Sequence, residues 1–298
     1  MKKRFTSCVA ACAACALAMA GGSGVPPPAP GANVASTAAD IAKCESGGML
    51  ERDPGEQVVE APHDLKLILC IGQSNMAGRA RILDEDREIV TNAYKLNRDG
   101  KWVAAKAPYH FDKKVAAVGP VDDFVKLYLK DHPGDSVGVV PCAVGGSGVA
   151  SWLPSGRKGP GKNYAAALER AKAAAKDGKF IAILWHQGET DAAKGKPDAL
   201  MKTYPGRVKS IAEALRRELG DESIPFIVGE IGRWERSDGD HASRINPCIN
   251  KVTELLPRCG VATSEGLLNQ DRHHFNRESQ RTLAKRYYEA WKRIVNVE

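Results

Sequence analysis

Beyond its N-terminal end, the 298-residue sequence lacks any uninterrupted run of about 20 apolar residues, the length that crosses a bilayer. It also lacks a strong excess of one charge, because 43 Lys and Arg oppose 36 Asp and Glu for a formal net charge of +7. Beyond the N-terminal end, no pair among the cysteines has the spacing of zinc ligands. These absences argue against a membrane span, a nucleic-acid partner and a zinc site.

The first 20 residues have the three parts of a secretory signal peptide. Residues 2–4 are cationic, an Ala-rich apolar stretch follows, and Ala18–Ala20 is a small-residue cleavage site. We therefore expect residues 1–20 to be removed, which lowers the net charge from +7 to +4 because three cations and no acid leave. The protein is then secreted or periplasmic. Val9–Cys12 also resembles a lipobox, so lipoprotein anchoring is the less favoured alternative.

Five cysteines follow this signal peptide, and export permits disulfides. Cys248 and Cys259 are close enough in sequence to bridge a short loop. Cys70 and Cys142 each lie near the end of an apolar run, which makes them candidates for neighbours in a sheet. The odd count, completed by Cys44, leaves at least one thiol unpaired within the chain.

Residues 21–45 are rich in Gly, Pro, Ala and Ser, which predicts a disordered leader. Residues 46–298 contain no repeat and no second linker, which predicts one catalytic domain. Short apolar runs alternate there with helical patterns, as in an α/β domain whose parallel sheet is covered on both faces. The runs are Leu65–Ile71, Val137–Val140, Phe180–Trp185, Ile224–Val228 and, more weakly, Gly260–Thr263.

Three segments between and after these runs have helical periodicity. Asn163–Lys176 is Ala-rich and amphipathic, and Leu200–Leu219 has apolar residues at three- and four-residue spacing. Pro205 is expected to begin or kink the second of these helices. Asn276 is a candidate N-cap for a last helix that carries an apolar stripe. In such folds ligands bind at the carboxyl ends of the strands, so we expect the chemistry directly after the apolar runs.

The first two runs lead into glycine-rich turns. GQSNMAG at residues 72–78 presents Ser74 at a strand-to-helix turn, where its hydroxyl is displayed and its backbone N–H can point at a developing oxyanion. A helix-capping serine is the alternative for this segment alone. In PCAVGGS at residues 141–147, the paired glycines allow close approach of backbone to a substrate, or they form only a tight turn.

The third run ends in WHQGETD at residues 185–191. Gln187 offers an amide donor that suits an oxyanion. Glu189 and Asp191 either contact substrate or brace loops, and bracing is favoured. His186 points away from Gln187 by strand alternation, so we interpret it as structural.

DRHHF at residues 271–275 lies just before the last predicted helix. Asp271 and His274 are three residues apart on one tight loop and can form a hydrogen bond. The carboxylate then orients the imidazole and leaves its other nitrogen for a serine hydroxyl. A surface or metal-binding His pair is the alternative, but further ligands at suitable spacing are missing.

Together these four segments resemble the SGNH-hydrolase superfamily, and they look most like its sialate O-acetylesterase and acetylxylan esterase branch, carbohydrate esterase family six. The resemblance covers roughly residues 64–292 and implies a flavodoxin-like, three-layer α/β/α fold with a central parallel sheet and no cofactor. It implies Ser74 as nucleophile, His274 as general base and Asp271 as the acid that orients it. The family often has another residue in place of His273, but the D-x-x-H spacing favours His274 as the base.

The resemblance also implies an oxyanion hole made of the backbone N–H of Ser74, the N–H of Gly146 or its neighbour Gly145, and the Gln187 side chain. Losing the Gln187 donor is expected to lower turnover by a factor on the order of 10²–10³. Trp152 is a candidate sugar-stacking wall.

The expected substrate is an acetylated carbohydrate of the acetylxylan or sialic acid type, from which acetate is released through an acyl-serine. Glu189 is a candidate contact for this substrate. Two alternatives remain: an esterase for simple short-chain aryl or alkyl esters, and a noncatalytic carbohydrate-binding protein. The presence of Ser74, Asp271 and His274 argues against the second alternative.

Overall fold

The computed structural model describes residues 56–60, 62–193, 195–235 and 239–296. The predicted signal peptide and leader, residues 1–45, lie outside the described residues. Within the described part of the chain, none of the helices combines the length and apolar character needed to cross a membrane.

A seven-stranded sheet forms the centre of the described chain. Its strands are β1 (Leu65–Gly72), β2 (Ala93–Leu96), β3 (Trp102–Ala104), β4 (Val137–Pro141), β5 (Gly178–His186), β6 (Phe226–Gly229) and β7 (Cys259–Ala262). They lie in the order β3-β2-β4-β1-β5-β6-β7. The β2–β3 pair at one edge is antiparallel, and every other pair is parallel.

Helices cover both faces of this sheet. They are α1 (Ser74–Ala77), α2 (Pro120–Asp131), α3 (Lys162–Ala174), α4 (Glu189–Ala192), α5 (Asp198–Leu219), α6 (His241–Leu255) and α7 (Arg277–Val295), with short 3-10 helices at Asp84–Arg87 and Val149–Trp152. Buried side chains of α3, α5 and α6 pack on one face of the sheet, and those of α2 and α7 pack on the other. The predicted three-layer α/β/α fold with a mostly parallel central sheet is confirmed.

The central strand β1 shows why its sequence is almost continuously apolar. Leu67 and Leu69 belong to the core on one face, whereas Ile68 and Cys70 belong to the core on the other. Successive side chains of a strand point to opposite faces, so a strand covered on both faces needs apolar residues at nearly every position. Because β1 pairs with β4 and β5, the carboxyl ends of these three strands meet at one place.

The five predicted strands are confirmed, but the edge strand β3 and its neighbour β2, both short, were not predicted. One reason is Lys95 in β2, which is buried and donates from Nζ to the carbonyl oxygens of Lys106 and Pro108. A lysine in the middle of a four-residue strand hides the apolar pattern. The prediction for Pro205 was wrong about the helix start, because α5 begins seven residues earlier and contains this proline.

The structure contains none of the candidate disulfides among the described cysteines. Cys70, Cys142, Cys248 and Cys259 are all free thiols, so neither candidate pair forms a disulfide. Cys70 and Cys142 are nevertheless neighbours, since the Cys142 N–H donates to the Cys70 carbonyl oxygen across the β1–β4 boundary at 2.9 Å. Burial raises the pKa of the Cys142 thiol to about 11, which keeps it protonated at neutral pH.

Candidate active site

A sharp turn at the carboxyl end of β1 presents Ser74. Gly72 has φ +123°, and a Cβ there would overlap the backbone of His186 on the neighbouring strand. Only glycine tolerates this conformation and this close approach. Ser74 then opens the four-residue helix α1, which ends at Gly78 with φ +83°. As the first helical residue it has a backbone N–H with no acceptor among the described residues.

The loop before α7 brings an imidazole and a carboxylate to this serine. His274 Nε2 lies 3.0 Å from Ser74 Oγ, and His274 Nδ1 lies 2.9 Å from Asp271 Oδ2. The other Asp271 oxygen accepts the backbone N–H groups of His273 and His274 at 2.7 and 2.9 Å. Burial opposes ionisation of Asp271, but the hydrogen bonds from His274 and the two N–H groups outweigh it and lower the pKa of Asp271 to about 2.

This arrangement is a hydrogen-bonded chain from an ionised carboxylate through an imidazole to a hydroxyl. Such a chain holds the imidazole in one tautomer and makes the hydroxyl a nucleophile when a proton is withdrawn. Of the two adjacent histidines, His274 reaches Ser74, whereas His273 stands beside it on the pocket wall. The structure thus brings together the three residues that the sequence singled out for this chemistry.

The paired glycines after β4 form a turn beside Ser74. Val144 N–H donates to the Gly72 carbonyl oxygen at 2.9 Å, which fixes the turn to the end of β1. Gly145 N–H donates to Asp112 Oδ2 at 2.7 Å and is therefore not free for a substrate. Gly146, with φ +76°, has a backbone N–H without an acceptor among the described residues. Of the two glycines named as possible oxyanion donors, Gly145 is therefore engaged within the protein, and Gly146 stays a prediction.

Gln187 does not reach the pocket. Its side chain is fully buried, and Nε2 has three acceptors within the protein: Asp191 Oδ2 at 2.6 Å, and Gln73 Oε1 and the Ser147 carbonyl oxygen at 3.2 Å each. An amide nitrogen carries two hydrogens, so both are used. The prediction of Gln187 as an oxyanion donor is therefore corrected: this side chain braces the loops after β4 and β5.

Trp152 is not a sugar-stacking wall. Its side chain is completely buried, and it packs edge-on against Trp185 with 5.7 Å between ring centroids. Its Nε1 donates to Ser147 Oγ at 2.9 Å, and Ser147 Oγ in turn lies 3.2 Å from the Gly72 carbonyl oxygen. Trp152 is thus a core residue that supports the glycine turn from below.

Glu189 lies on the pocket wall and also braces it. Its Oε1 accepts Asn75 Nδ2 at 2.5 Å, while its Oε2 is buried without a hydrogen-bond partner in the described part of the chain. Asp191 serves as a brace, because its Oδ2 accepts Val149 N–H at 2.8 Å as well as the Gln187 amide. His186 is fully buried and lies 3.1 Å from the Tyr287 hydroxyl, as expected for a structural residue.

Asn75 is a site residue that sequence reasoning missed. Its Nδ2 donates to Glu189 and to the His273 carbonyl oxygen, and its Oδ1 accepts Phe275 N–H at 3.2 Å. One buried side chain therefore joins the Ser74 turn to the loop that carries His274. The available signal was a polar residue directly after the serine in a segment that is otherwise apolar or glycine-rich.

A cavity of about 360 Å³ opens over Ser74 and His274. Its wall is formed by Gln73, Ser74, Arg79, Lys113, Gly145, Gly146, Glu189, Thr190, Ala193, Lys196, His241, His273 and His274. No ion pair joins Lys113 or Lys196 to another described residue, whereas Glu189 is the acidic side chain of this wall. The described residues contain no group of three or more His, Cys, Asp or Glu side chains placed to hold a metal ion.

Known proteins resemble this chain in sequence and in fold. The family described as carbohydrate esterase, sialic acid-specific acetylesterase, matches residues 64–293. A probable carbohydrate esterase from Arabidopsis thaliana is 27% identical over 251 residues, which are 76% of this chain and 91% of that protein. A solved structure of an Arabidopsis thaliana protein superposes with a TM-score of 0.66 at 25% identity, over 77% of this chain and 98% of that chain.

Two further solved structures share the fold at lower identity. A carbohydrate acetylesterase from Xanthomonas citri has a TM-score of 0.58 at 19% identity, over 78% of this chain and 57% of that chain. NanS has a TM-score of 0.59 at 14% identity, over 80% and 100%. The fold and the family match define a carbohydrate esterase. The chain belongs to the carbohydrate esterase family of sialic acid-specific acetylesterases.

Proposed function

We propose that this protein is an exported serine esterase that removes O-acetyl groups from a glycan. Ser74 is the nucleophile, His274 the general base and Asp271 the residue that orients it. The observation that carries the proposal is the position of His274, which lies within 3.0 Å of Ser74 Oγ and 2.9 Å of Asp271 at the floor of the cavity.

The proposed reaction has two steps. Ser74 Oγ attacks the acetyl carbonyl carbon while His274 accepts the hydroxyl proton, and the sugar hydroxyl then leaves with that proton. Water, deprotonated by His274, next attacks the acetyl-serine, the bond to Ser74 Oγ breaks, Ser74 Oγ takes the proton back from His274, and acetate is released. In both steps the N–H groups of Ser74 and Gly146 hold the negative oxygen of the tetrahedral intermediate. Asp271 stays ionised throughout, in keeping with its low pKa.

The substrate class is supported by the family and by charge. The matched family is described as acting on acetylated sialic acid, and the Xanthomonas citri protein as a carbohydrate acetylesterase. Lys113 and Lys196 place two ammonium groups on the cavity wall against the single described carboxylate of Glu189. A net positive wall favours an anionic ligand. Of the two expected substrates, we therefore propose the acidic one, an O-acetylated sialic acid, over neutral acetylated xylan.

The test measures acetate release from O-acetylated sialic acid and from acetylated xylan. The wild-type protein is expected to act on the first, and Ser74→Ala to abolish that activity while folding normally. The double variant Lys113→Ala/Lys196→Ala should raise KM for the acidic sugar and leave KM for 4-nitrophenyl acetate unchanged. Release from xylan alone would reverse the substrate assignment.

The two alternative functions predict different outcomes of the same assay. Ser74-dependent cleavage of 4-nitrophenyl acetate, without release from either glycan, would indicate an esterase for simple esters. Absence of labelling of Ser74 by a serine-directed phosphonate would instead favour a noncatalytic carbohydrate-binding protein. Export is tested separately: N-terminal sequencing of protein recovered from the periplasm or medium should begin after Ala20, and an intact N-terminus on cytoplasmic protein would contradict it.

A further inference from the structure

The glycine turn beside Ser74 depends on a carboxylate from a distant loop. An oxyanion donor is effective only if it is held in place before the charge develops. Gly145 and Gly146 lie in a turn without helix or strand hydrogen bonds, and glycine is the most flexible residue. The hydrogen bonds of Val144 and Ser147 hold the two ends of this turn. Asp112 restrains its middle, because its Oδ2 accepts Gly145 N–H at 2.7 Å.

Arg79 fixes the orientation of this carboxylate. Its Nη2 lies 2.7 Å from Asp112 Oδ2 and its Nη1 lies 3.3 Å from Asp112 Oδ1, a two-point pairing that sets the plane of the carboxylate. The two side chains are only 6% and 3% exposed, so solvent screens the pair weakly. A Cβ at Gly145 would meet both Arg79 Nη2 and Asp112 Oδ2, which explains the glycine at this position.

Arg79 is itself anchored to the two other parts of the site. Its Nη1 donates to the Gly78 carbonyl oxygen at 2.7 Å, at the end of the helix that Ser74 opens. Its carbonyl oxygen accepts Gln270 Nε2 at 2.6 Å, and Gln270 N–H donates to the His274 carbonyl oxygen at 2.9 Å. The ion pair thus connects the serine turn, the glycine turn and the histidine loop.

We propose that Arg79 and Asp112 are positioning residues that hold the Gly146 N–H toward the developing oxyanion. This inference rests on the proposed function, because it assigns that N–H to the tetrahedral intermediate. Although Arg79 reaches the cavity wall, both terminal nitrogens of its guanidinium group already donate to Asp112 or Gly78. Loss of the pair should therefore weaken binding of the transition state and leave binding of the ground state intact.

The test compares Asp112→Ala, Asp112→Asn and Arg79→Lys with Asp86→Asn as matched control. Asp86 is also a buried carboxylate paired with an arginine, Arg277, and its side chain is 4% exposed, but it does not line the cavity. For each variant kcat and KM are measured on 4-nitrophenyl acetate, normalised to the fraction of Ser74 that a phosphonate labels.

Asp112→Ala should lower kcat about 10- to 100-fold with KM within about twofold, as expected for a transition-state interaction. Asp112→Asn keeps an oxygen that can accept Gly145 N–H, so it should recover part of this loss and also covers the case in which Asp112→Ala does not fold. The kcat of Arg79→Lys should likewise lie between that of Asp112→Ala and that of the wild type. The dependence of kcat/KM on pH should keep its shape, because His274 and Asp271 are untouched.

Three outcomes would overturn the inference. The first is a folded Asp112→Asn and Asp112→Ala pair with kcat within twofold of wild type. The second is a fall in kcat no larger than that of Asp86→Asn, which would indicate a purely structural role. The third is a rise in KM for Arg79→Lys alone, which would make Arg79 a substrate contact. If the wild type lacks Ser74-dependent esterase activity, the proposed function fails together with this inference. The three outcomes above overturn the inference alone and leave the proposed function intact.

Discussion

Two groups of polar residues lie at the same edge of the sheet and have opposite uses. Ser74, Asp271 and His274 direct their side chains toward one another and toward the cavity. Gln187, directly after β5, and Trp152, in the 3-10 helix that follows the glycine turn, direct theirs into the protein. Position after a strand therefore locates the site, but burial and hydrogen-bond partners decide which side chains face a ligand.

There is a physical reason why some polar side chains at this edge of the sheet point into the protein. Loops at the end of a sheet bury backbone N–H groups, and these need partners. Asp191 satisfies Val149 N–H, and Gln187 in turn satisfies Asp191 and the Ser147 carbonyl oxygen. Side chains that complete this network keep the glycine turn rigid. The oxyanion donors that we propose are therefore the backbone N–H groups of Ser74 and Gly146, which have no acceptor among the described residues.

The largest expected effect separates the two adjacent histidines. His274→Ala should lower turnover of 4-nitrophenyl acetate by a factor on the order of 10⁶, since the base of the proposed triad is lost. His273→Ala is the matched control, because it keeps the backbone N–H that donates to Asp271. It should change kcat by less than about threefold. Similar losses of kcat in both variants would contradict the distinction between residues that act on the substrate and residues that only support the site.

Buried carboxylates sharpen the same comparison, because Asp122 behaves oppositely to Asp271. Burial raises the pKa of Asp122 to about 7, against the opposing hydrogen bond from Gly119 N–H. Because the pKa of Asp122 is higher in the folded than in the unfolded chain, the contribution of this residue to stability is greatest below about pH 4. That contribution declines as the pH rises to about 7. Asp122→Asn should therefore raise the free energy of unfolding at pH 8 by up to about 4 kcal/mol.

Urea unfolding at pH 5 and pH 8 measures this difference, and kcat serves as a control that should not change. Asp271 has the reverse sign: its lowered pKa contributes stability that is present above about pH 4 and is lost as pH falls to about 2. A destabilised Asp122→Asn at pH 8 would show that the carboxylate is ionised and needed as a cap for α2.

A smaller effect is expected from Gln187→Ala. As a brace, its loss should lower the free energy of unfolding by about 1–3 kcal/mol, because Asp191 and the Ser147 carbonyl lose a buried donor. Turnover should fall by less than about tenfold. A fall of 100-fold or more with unchanged unfolding would instead restore Gln187 to the oxyanion hole.

The smallest expected effect belongs to Trp152→Phe. The aromatic ring keeps most of its packing on Trp185, but the hydrogen bond to Ser147 Oγ is lost. The free energy of unfolding should decrease by about 1–2 kcal/mol, and KM for O-acetylated sialic acid should stay within twofold. A clear rise in KM without a change in stability would make Trp152 a sugar contact after all.

Much of the fold could be predicted from local pattern. Five buried strands were visible as apolar runs, and the N-cap Asn276 was confirmed by its hydrogen bond from Ser279 N–H at 2.9 Å. Strands β2 and β3 were not visible, because three or four residues at a sheet edge, one of them Lys95, carry too little pattern. Of the two alternatives for Pro205, a helix that starts there was wrong, since the helix continues through this residue and tertiary packing overrides a local helix breaker.

The sequence by itself determined five of the strands, the turns that follow them, and the pairing of Asp271 with His274, which lie on one loop and can meet through local geometry alone. Only the tertiary structure decided that His274 meets Ser74, 200 residues away, and that Gly145 N–H is taken by Asp112, 33 residues earlier. It also turned Gln187 toward Asp191. The physical reason is that a donor such as Gln187 or Gly145 N–H has many acceptable partners, and the choice among them depends on which distant acceptor the packed sheet and its loops bring within about 3 Å.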